Sequence, residues 1–537
     1  MADLGCAAGM PRSLWGWGLT ERRPALDTVA ARALPMFGTL TPEEPVPDEV
    51  ALAALQAPRV PVPADLAGFA SADAHERASH ARGKAYPDRV RGFQGDHGSA
   101  PDLVARPRDE AELVRVLAAC EAHKLAAVPF GGGSSVVGGV EPRLGPGHNG
   151  AVSIDLAALD RVLEIDDVSR SARIQGGVFG PALEQQLGAQ GYSLRHFPQS
   201  FEFSTLGGWI ATRAGGHYAT LHTHIDDLVQ SVRMLTPRGL WQSARLPASG
   251  AGPDPNRLVC GSEGILGVIT EAWMRIVPRP VYRASASVHF TDFDAAVAAT
   301  REVAQSGLHP ANCRLLDARE AMVTGVAADN VLLLGFESAD HPLGPWLERA
   351  LAIATSHGGS CPRGPKLRDD RDKARAPGDD AAESWRKSFL DGPYLQDGLL
   401  CLGIIADTFE TACTWRAFPE LFRAVTAAMN DILQRVCGGG VLSCRFTHVY
   451  PDGPAPYFTF LGRARRGAEL EQWAELKQAA GDALSAAGGT ITHHHAVGRT
   501  HRPWYDRERP QPFAEALRAA KRALDPAGIL NPGVLID

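Results

Sequence analysis

Chemistry in this chain starts from a run of three histidines, His493, His494 and His495. An imidazole titrates close to neutral pH, so such a run can shuttle protons and, once protonated, hold an anion. The run follows GGTIT, which reads as a strand; on a strand His493 and His495 face one way and His494 the other. A metal centre would need further ligands at suitable spacing, and no acid or cysteine stands close by in sequence. Polar catalysis without a metal is the expectation. Glycine is the second source of chemistry. PFGGGSSVVGG follows the apolar strand AAVPF, so its successive backbone N–H groups could nest around a pyrophosphate. Alone it could equally be a tight turn: it is not GxGxxG, and it lacks a P-loop lysine. Two more blocks, PQSFEFSTLGGWIATRAGG and CGSEGILGVITEA, are also rich in small and hydroxyl residues. Together the three point to a flat ligand that the backbone approaches closely. On this reading, bulk at Gly132 would fill space the pyrophosphate needs.

At 537 residues the chain is too long for one hydrophobic core, so at least two domains are expected. Its 45% apolar content and mixed charge are those of a globular protein. The net charge of -7, without a concentrated basic stripe, argues against nucleic acid as a partner. Nine cysteines are scattered singly, which suits a reducing compartment and offers neither a zinc ribbon nor a disulfide framework. No apolar run reaches the roughly 20 residues a membrane helix needs, and no targeting signal is evident. A cytoplasmic location is the expectation.

The histidines and glycines need elements to position them. Residues 1–92 are Pro-rich and irregular, an extension wrapped on the body with short helices at most. From 93 to 281, PRDEAELVRVLAACEAH reads as a helix with Leu113, Val116, Leu117 and Cys120 on one face. Strands (AVSIDL, RVLEID, ARIQGG), a helix near PALEQQLGAQG and a closing strand follow. From 282 to 500 the texture changes to two rounds of strand-helix-strand-strand-helix. The first helix is expected to be capped by Thr291 and stopped by Gly307. The charged stretch RGPKLRDDRDKARAPGDDAAE reads as a surface loop or lid, and LLCLGIIAD as a strand. The pattern predicts an α+β fold with an antiparallel sheet covered by helices on one face. A last segment, 501–537, holds one helix stopped by Asp525-Pro526.

FPQSFEFSTLGGWIATRAGG, IDDLVQSVRMLTPRG, GSEGILGVITEAWMRIVP, THHHAVGR and ALDPAGILNPG, in that order, resemble the alkyldihydroxyacetonephosphate synthase family. That family belongs to the vanillyl-alcohol oxidase class of flavoproteins. The resemblance runs from about residue 95 to the C-terminus, and RSLWGWG looks like the family's N-terminal tryptophan motif. It implies an FAD-binding domain of two small subdomains (93–281), a cap domain over the cofactor (282–500) and a C-terminal segment completing the site (501–537). It implies that Pro129, Phe130, Gly131, Gly132, Gly133, Ser134 and Ser135 bind the pyrophosphate. Gln199, Ser200, Phe201, Glu202, Phe203, Ser204, Thr205, Thr212, Arg213, Ala214 and Gly215 would line the rest of FAD, with Glu263, Gly264, Ile265, Leu266, Gly267, Val268 and Ile269. Covalent members of the class carry a histidine just after the first glycines; here Gly133-Ser134 stands there, so FAD is expected to be held non-covalently.

The resemblance also implies roles. Tyr457 matches the family's catalytic tyrosine, a phenol that acts as a base only where its environment lowers its pKa. Arg314 matches an arginine important for activity, and His493, His494 and His495 match a triple-histidine run needed for it. Two positions depart from the pattern. Ala496 stands where the family usually has glycine, and Gln396 stands where the family has an arginine that binds the substrate phosphate. A glutamine carries no charge and cannot clamp a phosphate bidentately; Arg386 or Lys387 would have to compensate. The activity implied is exchange of the acyl group of acyl-dihydroxyacetone phosphate for a fatty alcohol in ether lipid synthesis, with no net redox change. The alternative on the same fold is an FAD-linked oxidase or dehydrogenase of a hydroxy acid or alcohol. The expected partner is a lipid-like small molecule, with peripheral membrane contact and a homodimer compatible with this reading.

Overall fold

In the computed structural model, residues 12–218, 224–371 and 381–537 are described, with side chains left aside at 381–390. Three sheets organise the molecule. The first has four strands in the order Ala70–Ser71, Leu103–Ala105, Gly150–Asp155, Leu125–Phe130. Its last three strands are parallel, and the connection between Leu103–Ala105 and Leu125–Phe130 is the helix Glu110–His123. Asp109 caps that helix by accepting from the Glu112 N–H, and the expected Leu113, Val116, Leu117 and Cys120 are its buried face.

The second sheet is antiparallel throughout, in the order Val162–Asp166, Ser171–Gln175, Val268–Arg275, Val229–Thr236, Gly239–Gln242. Helices Gly180–Gly188 and Leu206–Thr212 share one apolar core with it, built on Leu183, Leu206, Trp209 and Ile210.

The third sheet has seven antiparallel strands: Lys366–Asp369, Tyr282–Phe290, Asn330–Ser338, Asn312–Leu316, Gly440–Val449, Pro454–Arg463, Ile404–Glu410. Helices Phe293–Gln305 and Gly344–Ser356 cover one half, and Phe418–Cys437 and Glu469–Ala486 the other. The two rounds read from the sequence are these two halves. Because side chains alternate along a strand, Leu315, Cys444, Phe458 and Phe409 go to the helices, which frees Arg314, Arg445, Tyr457 and Glu410 for the opposite face.

Several local expectations change. Asp292, not Thr291, caps the helix Phe293–Gln305, its carboxylate taking the Ala295 N–H; Gly307 does end that helix region at φ 74°. The charged stretch contributes the edge strand Lys366–Asp369, and the following residues form a helix, Ala381–Cys401, that takes in the LLC expected to begin a strand. The N-terminal extension is structural rather than peripheral. Its helix Leu26–Phe37 packs through Val29, Ala33 and Phe37 on Leu399, Ile404 and Leu461; Ala70–Ser71 joins the first sheet. Trp15 enters the cap core, and Trp17 packs with Phe203 and Tyr394. Buried Asp397 fastens this arm by accepting from the Trp17 N–H at 2.6 Å and from Arg89 at 3.3 Å.

Candidate active site

Strand Leu125–Phe130 delivers Pro129 and Phe130 to the end of the first sheet, where the chain turns through Gly131, Gly132, Gly133, Ser134 and Ser135. Among the described residues no protein acceptor takes any of these five backbone N–H groups, although the loop is half-buried. Successive orphan donors in such a place are a nest for an anion. They fit the pyrophosphate of FAD. The glycines, however, serve a different end from the one expected. A Cβ on Gly132 would lie 1.6 Å from the Phe203 carbonyl oxygen, and one on Gly131 would lie 2.3 Å from Thr205 Oγ1. Glycine is needed there because the first block presses on the second, so bulk at Gly132 strikes protein before it reaches cofactor space.

The second block runs from Gln199 and Ser200 through the short turn Phe201–Phe203 to Ser204 and Thr205. Ser204 accepts from Trp209 Nε1 at 2.7 Å, and Glu202 pairs with Arg22. Farther on, the Thr212 hydroxyl donates to the Gly208 carbonyl, and Arg213 pairs with Asp226 at 2.7 Å. Ala214 is buried; a Cβ on Gly215 would lie 3.0 Å from the His448 ring and 3.3 Å from His494 Cβ. This block therefore touches the cap. In the third block, the Glu263 carboxylate accepts from the N–H groups of Val497 and Gly498 at 2.9 and 2.8 Å, and burial pushes it up to about 7. Gly264, at φ 76°, approaches Pro129. Ile265, Leu266 and Ile269 place their side chains in the core of the second sheet and Val268 in that of the first, and Gly267 packs on Met234. With their side chains in the cores, these four can line a cofactor only through their backbone.

The cap supplies a row across three neighbouring strands, Glu410 opposite Tyr457 and Tyr457 opposite Arg445. The Arg445 guanidinium lies 3.8 Å from the Tyr457 ring centroid and pairs with buried Glu320. Arg314 is buried on the same face and donates to the His217 carbonyl at 3.3 Å. Against this row lie His493, His494 and His495, and they are not on a strand. Their backbone N–H groups converge on Glu410, at 2.7, 3.1 and 3.1 Å, and the Thr492 hydroxyl adds a fourth bond at 2.6 Å. A strand would send alternate N–H groups to a neighbour; here one carboxylate takes three in succession, and the chain curls around it. His494 and His495 come within 6.0 and 5.4 Å of Tyr457, ring centroid to centroid.

Burial dominates the electrostatics. It lowers the imidazoles of His494 and His495 to about 3 and 4 despite the opposing charge of Glu410, and it holds His493 and His448 well below the usual range. The row is therefore neutral at physiological pH: it offers lone pairs and N–H donors for proton exchange but does not hold an anion by its own charge. Burial also raises the Tyr457 phenol, against the pull of Arg445 and the hydrogen bond to Thr408 at 2.9 Å. Arg314 is lowered to about 9 by burial and by Arg445. Ring nitrogens of His448, His493 and His494 lie within 4.8 Å of one another, a spacing a metal ion could gather, but Glu410 beside them spends its oxygens on N–H groups.

The structure thus brings Tyr457, Arg314 and the histidine row together. Gln396 lies half-buried on the Ala381–Cys401 helix, one turn beyond Gly392, whose Cβ position is 2.8 Å from Gln199 Nε2. The side chains of Arg386 and Lys387 lie outside the described residues. Sequence reasoning missed Glu410, Arg445, Glu320 and His448; only the alternation of RFTHV and FTFLG with apolar residues could have put Arg445 beside Tyr457.

Two family models match: "FAD binding domain" over residues 101–245 and "FAD linked oxidases, C-terminal domain" over residues 279–535. An alkyldihydroxyacetonephosphate synthase of Caenorhabditis elegans is 32% identical over 488 residues, 87% of this chain and 81% of its own length. One of Trypanosoma brucei brucei is 30% identical over 492 residues, covering 86% and 78%. A solved alkyldihydroxyacetonephosphate synthase structure superposes with a TM-score of 0.78 at 25% identity, covering 97% of this chain and 98% of that one. Glycolate oxidase subunit GlcD of Bacillus subtilis is 27% identical over 450 residues, 81% of this chain and 89% of its own length.

Proposed function

The chain belongs to the alkyldihydroxyacetonephosphate synthase family, and from that premise we propose that it exchanges the acyl group of acyl-dihydroxyacetone phosphate for a fatty alcohol. The observation that carries this reading is the cap row, where Tyr457, Arg445 and Glu410 sit side by side against three neutral imidazoles. FAD is the cofactor, and when bound it supplies an electron-rich ring nitrogen able to act as a nucleophile. We take it to be held non-covalently, since Gly133 and Ser134 offer no histidine for a link. The N–H groups at 131–135 would hold its pyrophosphate.

The protein's own residues then divide the work. The phenol of Tyr457 is protonated at rest, so it can take a proton from substrate C1 only by passing its own on; His494 and His495 are the neutral bases beside it. Arg314 and Arg445 supply positive charge on the same face, where the departing fatty carboxylate and the substrate phosphate need it. Both fatty substrates partition into lipid, so we place the enzyme in the cytoplasm at a membrane surface. No helix among the described residues is long and apolar enough to cross one.

Gln396 favours a second reading, FAD-linked oxidation of an uncharged alcohol or a hydroxy acid. Anaerobic incubation of the pure protein separates the two. Ether product from acyl-dihydroxyacetone phosphate and a fatty alcohol, without lasting flavin bleaching, is the expected result. Lasting bleaching by alcohols or hydroxy acids, with no ether product, would replace it by the oxidase reading.

A further inference from the structure

We propose that His224 sets the proton positions of the histidine row and thereby leaves Nε2 of His494 as its basic nitrogen. The argument follows hydrogen-bond directions from one ring to the next. His224 Nδ1 lies 2.9 Å from the Arg213 carbonyl oxygen. A carbonyl only accepts, so Nδ1 carries the hydrogen and, in a neutral ring, Nε2 carries a lone pair. Burial keeps His224 neutral. Its Nε2 is 3.0 Å from His493 Nε2, which must therefore be the donor. The proton of His493 being on Nε2, its Nδ1 is the acceptor, and 3.0 Å away stands His494 Nδ1, which must donate in turn. The Glu410 carboxylate oxygen, 3.5 Å from His494 Nδ1, favours the same proton position. What remains on His494 is the lone pair of Nε2, and among the described residues no protein group takes it.

Tyr450 is the competitor. Its hydroxyl lies 2.8 Å from His493 Nε2 and can either accept from that nitrogen or donate to it. If it donated, lone pairs of His224 and His493 would face each other at 3.0 Å, and the row would run backwards, with His493 Nδ1 donating to His494. With His224 present that state is disfavoured. Without His224 it is free to form, opposed only by Glu410. His224 is thus a positioning residue: it acts on the reacting proton through His493. Its role in turnover rests on the reaction proposed above; the proton positions do not.

The experiment is nitrogen NMR of the FAD-loaded protein labelled with ¹⁵N-histidine, with the rings assigned by single substitutions. In the native protein His494 should be protonated on Nδ1 and His493 on Nε2. His224→Phe should move His494 toward the Nε2-protonated form. It should also lower kcat by about tenfold or more, less than the roughly hundredfold or greater loss from removing an acid–base group outright, with KM and flavin content held. His224→Gln, whose side-chain oxygen can accept the same proton, should recover most of the loss. His494 protonated on Nε2 in the native protein overturns the proposal, as does a His494 signal that His224→Phe leaves unmoved. Should the Phe variant not hold flavin, the native spectrum and the Gln variant still decide. Correct proton positions with no ether product would reject the proposed reaction and leave this inference standing.

Discussion

At Ala496 the backbone adopts φ 70°, a conformation that costs a residue with a Cβ roughly 1 kcal/mol relative to glycine. The departure from the family's glycine therefore strains the turn after the histidines. Ala496→Gly should raise the thermal midpoint slightly and leave flavin content unchanged, as differential scanning fluorimetry can show. The histidines themselves make stability depend on pH. Unfolded, each takes a proton at 6.5; folded, His494 and His495 refuse one until about 3 and 4. The unfolded chain therefore binds more protons as pH falls below 6.5, and folding stability should drop by about 1.4 kcal/mol per histidine per pH unit over that window. Glu263, raised from 4.5 to about 7, works against this, since its protonation favours the folded form below 7. Urea titrations from pH 7 to 4.5 should show net loss, and the slope should flatten in His495→Gln. Gln396→Arg tests the substrate. A charge-assisted contact to phosphate is worth about 1.5–3 kcal/mol, so the apparent KM for acyl-dihydroxyacetone phosphate should fall by about tenfold or more. No gain there, with a loss on an uncharged alcohol, would point to the oxidase. Of these residues the histidines stood out in the sequence, and Tyr457 and Arg314 needed a motif match. Glu410 could not be read at all, because its role depends on backbone N–H groups 83 to 85 positions later.

Elements with strong periodicity were legible: the buried stripe of Glu110–His123, the alternating strands of the cap and the two matching rounds around it all read from spacing. Two misreadings have physical causes. GGTIT has strand composition, but the residues after it gain more by wrapping a carboxylate than by pairing with a strand. The helix Ala381–Cys401 hid behind charge and behind Pro393, which sits inside it against ordinary helix preference. The glycine blocks were found, but their close packing on one another was not, and a substitution distinguishes the two reasons for glycine there. Gly132→Ala should lower both the flavin-to-protein absorbance ratio and the thermal midpoint of the flavin-free protein, because the methyl group collides with the Phe203 carbonyl. An apoprotein as stable as the unaltered one would return the glycine to a purely cofactor-facing role.

Over the whole molecule, the arm at residues 12–23 joins parts that composition had suggested were separate. Trp15 belongs to the cap core, while Trp17 packs on Phe203 of the cofactor-side block, which in turn meets Tyr394 of the cap. Arg22 adds a bond to Glu202. A chain lacking residues 1–23 should keep both cores but lose their coupling. We expect two calorimetric transitions in place of one and a marked loss of FAD on gel filtration. A single transition with full flavin content would show that the sheets hold together without it. The two-domain layout was legible because the patterns change near residue 280, but the stitching was not, since a contact between segments hundreds of residues apart leaves no local period.

That stitch has a consequence for how the protein is made. Trp17 leaves the ribosome 380 residues ahead of the Asp397 carboxylate that fastens it. At about 5–20 residues per second, the arm must wait roughly 20 to 80 s for its anchor. The glycine nest and Phe203 emerge well before Glu410 and the histidines. Until then a nascent chain has a first sheet able to form, two tryptophans without their pocket, and a flavin site open on the side the cap will close. On this order of emergence we expect cofactor capture to come late in biosynthesis, with the waiting tryptophans exposed to chaperones, as flavin binding by ribosome-stalled chains of increasing length can show.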